Sequence, residues 1–131
     1  MKEKFKKIAS YMSILTVFLS IVVNVYASSY TTSYQFSVSV TGQTRYFDGT
    51  NISFTSRATS TPFIHSTNKT YSVALYRDKL IDDYIGSVTL YRDILGTAKW
   101  SNVGVGNYYV FLSKANDGVT LVDNNVVIKN Y

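Results

Sequence analysis

The sequence predicts an all-β domain: a single small antiparallel β-sandwich of seven or eight short strands, with a small β-barrel as the alternative closure. Three observations carry this. Apolar and polar residues alternate with period two over most of the chain beyond residue 27. Turn-forming residues interrupt the alternation at short intervals. No long stretch of that region shows the 3.6-residue periodicity of an amphipathic helix.

The strands follow in order. Tyr34, Phe36, Val38 and Val40 alternate with polar residues, as a strand with one wet and one buried face requires. Ile52 and Phe54 repeat the pattern. Tyr71, Val73 and Leu75 form the third set, Val88 and Leu90 the fourth, Ala98 and Trp100 the fifth. Residues 107–112, Asn-Tyr-Tyr-Val-Phe-Leu, are apolar on both faces and predict a central strand covered on both sides. Two last runs, 119–122 and 126–128, are read as separated by Asp123-Asn124-Asn125. Turns are expected at Thr41-Gly42, Asp48-Gly49, Asp82-Asp83, 104–107 and Asn116-Asp117-Gly118. The Ser/Thr-rich stretch 58–68, with the chain's single proline, Pro62, reads as a long loop.

The run 100–111, Trp-Ser-Asn-Val-Gly-Val-Gly-Asn-Tyr-Tyr-Val-Phe, adds a detail. A glycine-rich turn leading into paired tyrosines resembles the lead-in to the penultimate strand of immunoglobulin-like domains. The likeness implies a tyrosine hydroxyl, from Tyr108 or Tyr109, bonded back to the preceding corner, with Trp100 in the core.

The first 27 residues read differently. Lys2, Lys4, Lys6 and Lys7 precede an apolar run from about Ile8 to Val25, and Val25-Tyr26-Ala27 places small residues at the cleavage positions. This is the layout of a secretory signal peptide. A retained membrane anchor is the rival, since the run approaches the ~20 residues that span a bilayer. Cleavage would leave 28–131 as one domain, membrane contact being confined to the leader. The leader holds four of the 13 basic residues and one of the eight acidic ones. The rest carries a net charge of only +2, with its basic residues scattered. That excludes the basic stripe a nucleic-acid binder needs.

The chain has no cysteine, which removes thiol catalysis, thiolate zinc and iron–sulfur chemistry. A cysteine-free chain with a lysine-rich leader points to a secreted or cell-surface protein of a Gram-positive bacterium. The Asn51 and Asn68 sequons carry no meaning in that setting. His65 is the only histidine, and no nucleophile-elbow turn marks a serine to partner it. No glutamate follows the leader, so a Glu-based glycosidase is excluded. Asn116, Asp117 and Asp123 to Asn125 are the sole candidates for calcium, without a D-x-D-x-D-G loop. No cofactor and no metal are expected.

One repeat stands out. Residues 72–80, SVALYRDKL, recur as 87–95, SVTLYRDIL, with seven of nine positions identical. If 70–77 and 84–91 form a hairpin, pairing residues whose numbers sum to 161 sets Val73 opposite Val88 and Tyr71 opposite Leu90. Both pairs then share one face. The outer face holds Tyr76 near the turn and Tyr91 at the far end, six ladder positions or roughly 20 Å away. The two LYRD motifs therefore make no carboxylate pair. Tyr76 and Tyr91 are the expected exposed contacts for a protein or polymer partner. The functional expectation is an exported, non-catalytic binding or structural module. A bacteriocin-like or toxin-like antagonist is the alternative, and a small secreted hydrolase comes third.

Overall fold

The computed structural model describes residues 28–62 and 67–131; the leader over 1–27 and His65 lie outside them. Ten strands are present: β1 (Ser29–Phe36), β2 (Ser39–Thr41), β3 (Arg45–Phe47), β4 (Ile52–Ser56), β5 (Thr59–Thr61), β6 (Thr70–Arg77), β7 (Asp83–Tyr91), β8 (Gly96–Trp100), β9 (Gly106–Ser113) and β10 (Thr120–Asn130). No helix occurs among the described residues, and none is long and apolar enough to cross a membrane.

The strands form two antiparallel sheets, not a closed barrel. The first runs β1-β10-β4-β8, with β5 also on β10. The second runs β2-β9-β6-β7, with β3 also on β9. If β2 and β3 count as one interrupted strand and β5 as an addition, eight principal strands remain. The predicted sandwich is thus realised. Its strand order is that of a double-sheet jelly roll, a closer description than the immunoglobulin-like one. The last strand, β10, lies inside its sheet rather than at an edge.

The core lies between the sheets and follows the alternation. Tyr71, Val73 and Leu75 of β6 point inward, as do Tyr108, Val110 and Leu112 of β9. Ile52, Phe54, Leu121 and Val126 meet them from the first sheet, each fully buried. Trp100 is 7% exposed and donates its indole N–H to the Gly86 carbonyl of β7 at 3.2 Å. One side chain thereby fills the core and ties together the two sheet edges β8 and β7.

Four expectations need correction. Residues 123–125 do not divide two strands. β10 runs unbroken through them, and the irregularity is a register shift against β1 between Thr32 and Tyr34. Residues 59–61 are not loop but β5, paired with Thr120–Val122. Tyr34 to Val40 is not one strand: Tyr34 and Phe36 close β1 of the first sheet, Val40 lies in β2 of the second, and Val38 is exposed where the chain crosses between them. β9 is central in hydrogen bonding, but only its inner side chains are covered; Tyr109 and Phe111 on the outer side are half-buried.

The tyrosine corner forms at Tyr108. Its hydroxyl donates to the Val103 and Gly104 carbonyls, the latter at 2.8 Å. Gly104 has φ +80°, a left-handed turn that a glycine adopts without penalty. Burial raises the Tyr108 pKa.

Candidate functional site

The hairpin β6–β7 has the register predicted for it over most of its length. Tyr71 faces Leu90, Val73 faces Val88 and Leu75 faces Gly86. Past Leu75 the register shifts, and Tyr76 faces Tyr84. Ile85 is the extra residue of a β-bulge. This one residue changes the surface. Side chains alternate strictly between faces, so an unbulged ladder would turn Tyr84 inward. The bulge turns it outward, beside Tyr76.

The outer end of the second sheet consequently carries a tyrosine cluster. Tyr109 of β9 stacks on Tyr76 with ring centroids 5.3 Å apart and planes 6° from parallel. Tyr84 leans on the other side of Tyr76 at 5.5 Å and 59°. The Tyr109 hydroxyl donates to Asp82 at 2.8 Å, and the same carboxylate accepts the Lys79 backbone N–H at 3.1 Å. The hydrogen bond to Asp82 is the main reason the Tyr109 pKa is pushed up to about 12, with burial adding to it. The turn beyond is held by Asp82 and by the Lys79–Asp83 ion pair. It presents Leu80 and Ile81, 104% and 82% exposed.

Of the two tyrosines predicted as contacts, Tyr91 is exposed, at 61%. Tyr76 is on the expected face but is half-buried between Tyr84 and Tyr109, because the bulge brings it a neighbour. Nor are the two alone: Tyr46, Tyr84 and Tyr131 are also exposed. The sequence reading missed Tyr84 and Tyr109. The Tyr108-Tyr109 pair carried a signal for the second, since one of two adjacent strand tyrosines must face outward.

The doubled LYRD resolves into two braces at opposite ends of the hairpin. Arg77 donates to the Val105 carbonyl at 2.5 Å and lies over the Tyr108 ring at 5.7 Å. Arg92 is buried, donating to the Thr70 carbonyl at 3.0 Å and to Asp117 at 2.6 Å. Asp78 accepts from the Thr44 hydroxyl at 2.7 Å. Asp93, at φ 64°, accepts from the Ser60 N–H at 2.7 Å and its hydroxyl at 2.8 Å. In each motif the arginine bonds a carbonyl of another strand or turn, and the aspartate fixes a segment distant in sequence.

The carboxylates considered for calcium are engaged otherwise. Asp117 bonds Arg92 and Lys114. Asp123 accepts from the Ser56 hydroxyl at 2.5 Å and from the Arg57 and Asn125 N–H groups at 2.8 Å each. Among the described residues no three His, Cys, Asp or Glu side chains gather as metal ligands.

No protein-family model matches the chain, and no curated protein does. Among solved structures, the chain is similar to the crystal structure of the CBM36-1 domain of a multidomain xylanase from the hindgut metagenome of Trinervitermes trinervoides. The TM-score is 0.48 at 14% identity, over 81% of this chain and 98% of that one. The site described above rests on this chain's own geometry.

Proposed function

We propose that the protein is an exported, non-catalytic binding module that engages its partner through the outer face of the second sheet. The observation that carries this is the cluster Tyr76, Tyr84 and Tyr109, braced by Asp82 on an open sheet face. Tyrosine gives a large rigid contact area with little side-chain entropy to lose, and a hydroxyl at its tip. A bulge that turns a third ring outward beside two others is a specific local feature of the kind that re-aims a side chain at a working surface. Tyr91, roughly 20 Å along the same face, extends the surface toward a broad partner rather than a small molecule held in a pocket. Export rests on the leader-like first 27 residues.

The test is co-sedimentation with washed envelopes and extracellular polymer from the producing cells. Tyr84→Ala and Tyr91→Ala should each weaken sedimentation by the ~2 kcal/mol typical of an aromatic anchor while leaving stability within about 0.5 kcal/mol. Folded variants that sediment like the parent would remove this face from consideration.

The alternative, a secreted bacteriocin-like antagonist, draws on a different feature. Leu80 and Ile81 project fully from the hairpin tip, and each would gain roughly 1.5–3 kcal/mol on burial against an apolar surface of a target. Growth inhibition by the purified protein, abolished by Leu80→Ser with Ile81→Ser, would favour that reading.

A further inference from the structure

We infer that the ligand of this face is a neutral polysaccharide chain lying along β6, an inference that rests on the binding-face reading above. It starts from what the face lacks. By register and alternation, the outward positions of β2, β3, β6, β7 and β9 hold no Asp, Glu, Lys, Arg or His. This is a continuous uncharged track on a protein with charged residues at the ends of those same strands. A polyanion, nucleic acid included, is held by cations paired to its charges, and none lies on the track.

What the track does hold is hydroxyls between aromatic ends. Thr70, Ser72, Thr89 and Ser113 line a shallow depression of about 250 Å³ at the end away from the hairpin turn; Lys114 lines it too, but its side chain is buried and its ammonium is held by Asp117 at 2.7 Å. Ser72 faces both Thr89 and Ser113 across the two ladders, so the hydroxyls form a row across three strands. Ser87 continues the row toward Tyr84, whose hydroxyl donates to it at 3.0 Å. Tyr84 at one end and Tyr91 at the other are 59% and 61% exposed. Tyr76 and Tyr109 cover one another's faces and form a fixed wall, leaving Tyr84 and Tyr91 as the exposed rings of the hairpin, with Tyr46 of β3 exposed farther across the face.

That alternation matches the two chemistries of a sugar ring. Its C–H face is apolar and packs on an aromatic ring; its equatorial hydroxyls both donate and accept, as serine and threonine hydroxyls do. Roughly 20 Å between the ends accommodates several rings in a row. An extended peptide would instead seek the unpaired backbone of a sheet edge, where main-chain hydrogen bonds supply affinity. A peptide on the free edge of β7 would leave Ser72 and Ser113 uncovered, because they lie on β6 and β9, which are paired on both sides.

The experiment is affinity electrophoresis of the protein purified from full-length expression, through gels containing a β-glucan, a mannan, a xylan, starch or the polyanion alginate. At least one neutral polysaccharide should retard it, independently of salt. Tyr84→Ala and Tyr91→Ala should each lower that affinity about tenfold or more, as loss of an anchor does. Thr89→Asp, which places a charge in the track without removing a ring, should also weaken it. Trp100 fluorescence checks that each variant is folded. Retardation by alginate alone, lost at high salt, would overturn the inference, as would retardation by none of the neutral polymers. The envelope assay keeps the two readings apart. If sedimentation remains tyrosine-dependent and is abolished by protease treatment of the envelopes, the face binds a protein and only the polysaccharide assignment falls. If sedimentation ignores the tyrosines, both fall.

Discussion

The Tyr76 and Tyr109 rings lie face to face across the β6–β9 ladder, 5.3 Å apart and 6° from parallel. Directly cross-strand aromatic pairs are a unit of sheet stabilisation in their own right. A double-mutant cycle with Tyr76→Ala and Tyr109→Ala should give a coupling of about 0.5–1.5 kcal/mol, read from urea unfolding. Additive single effects would mean that the stack contributes nothing to folding and leave it as surface decoration.

The same Tyr109 gives a pH prediction. Its pKa moves from the usual 10 up to about 12 through the bond to Asp82. Tyr34 moves to about 12 as well, in its case through burial, opposed by the charge of Arg45. For both, the folded state holds the proton more tightly than the unfolded chain does. Their contribution is therefore complete below pH 10 and is lost as pH rises through 10 toward 12. Stability should fall over that window. In a phenolate absorbance titration, Tyr34 and Tyr109 should ionise late in the folded protein, Tyr71 and Tyr108 being shifted upward by burial as well, and Tyr109→Phe should remove one late-ionising group. Simple titration of both near 10 would contradict the geometry.

Much of this was legible from residue order, and the reasons for the rest are specific. Alternation exposes a strand whenever one face is wet, so β4, β6, β7 and β8 could be read directly. The 161 register followed from placing Val73 and Val88 on one side. The tyrosine corner followed from glycines before an aromatic pair. The bulge at Ile85 was invisible, because a period-two pattern cannot show which residue the partner strand skips. With it went Tyr84, whose direction depends on that one residue. Residues 123–125 read as a turn because Asp and Asn usually make one. Here Asp123 instead accepts hydrogen bonds from Ser56 and Arg57, at the end of β4 and just beyond it, as well as from Asn125, and stays within the strand. The lack of charge on the outer face was already written in Thr70, Ser72, Ser87 and Thr89. It gained meaning only once Ser113 and Tyr109 were placed beside them.

Tyr108 and Tyr109 are adjacent and should respond unequally to the same small change. Tyr108→Phe removes the hydroxyl from the Val103 and Gly104 carbonyls in a buried corner. The loss should be about 1–3 kcal/mol by urea unfolding, the range for leaving buried partners unsatisfied. Tyr109→Phe breaks an exposed bond to Asp82 and should cost within about 0.5 kcal/mol. Equal effects would show that the corner is not the stabilising contact.

Trp100, the sole tryptophan, reports on the core and supports it. Its emission should be that of a buried indole and shift to the red on unfolding. Trp100→Ala should cost ~3–5 kcal/mol, through the cavity left and the lost tie to Gly86. Emission typical of a solvated indole in the folded protein would place the side chain outside the sandwich.

A large single-site effect is expected away from the tyrosines, at Asp117. Its carboxylate bonds Arg92 at 2.6 Å and Lys114 at 2.7 Å, and the two cationic side chains are 3% and 0% exposed. Two buried positive charges thus share one negative partner. A buried pair is expensive to form, because both ions lose their water, so the contact alone adds little net stability. Removing one member is another matter, since it leaves the others desolvated and uncompensated. Asp117→Ala should therefore cost about 3–5 kcal/mol. Replacing Lys114 with Met keeps the apolar stem and the Arg92–Asp117 pair while removing one surplus charge, so it should be far milder. Urea unfolding of the two variants decides the point. If Lys114→Met proved the more damaging, the lysine would be the indispensable partner, and the balance of charge argued for this cluster would be wrong.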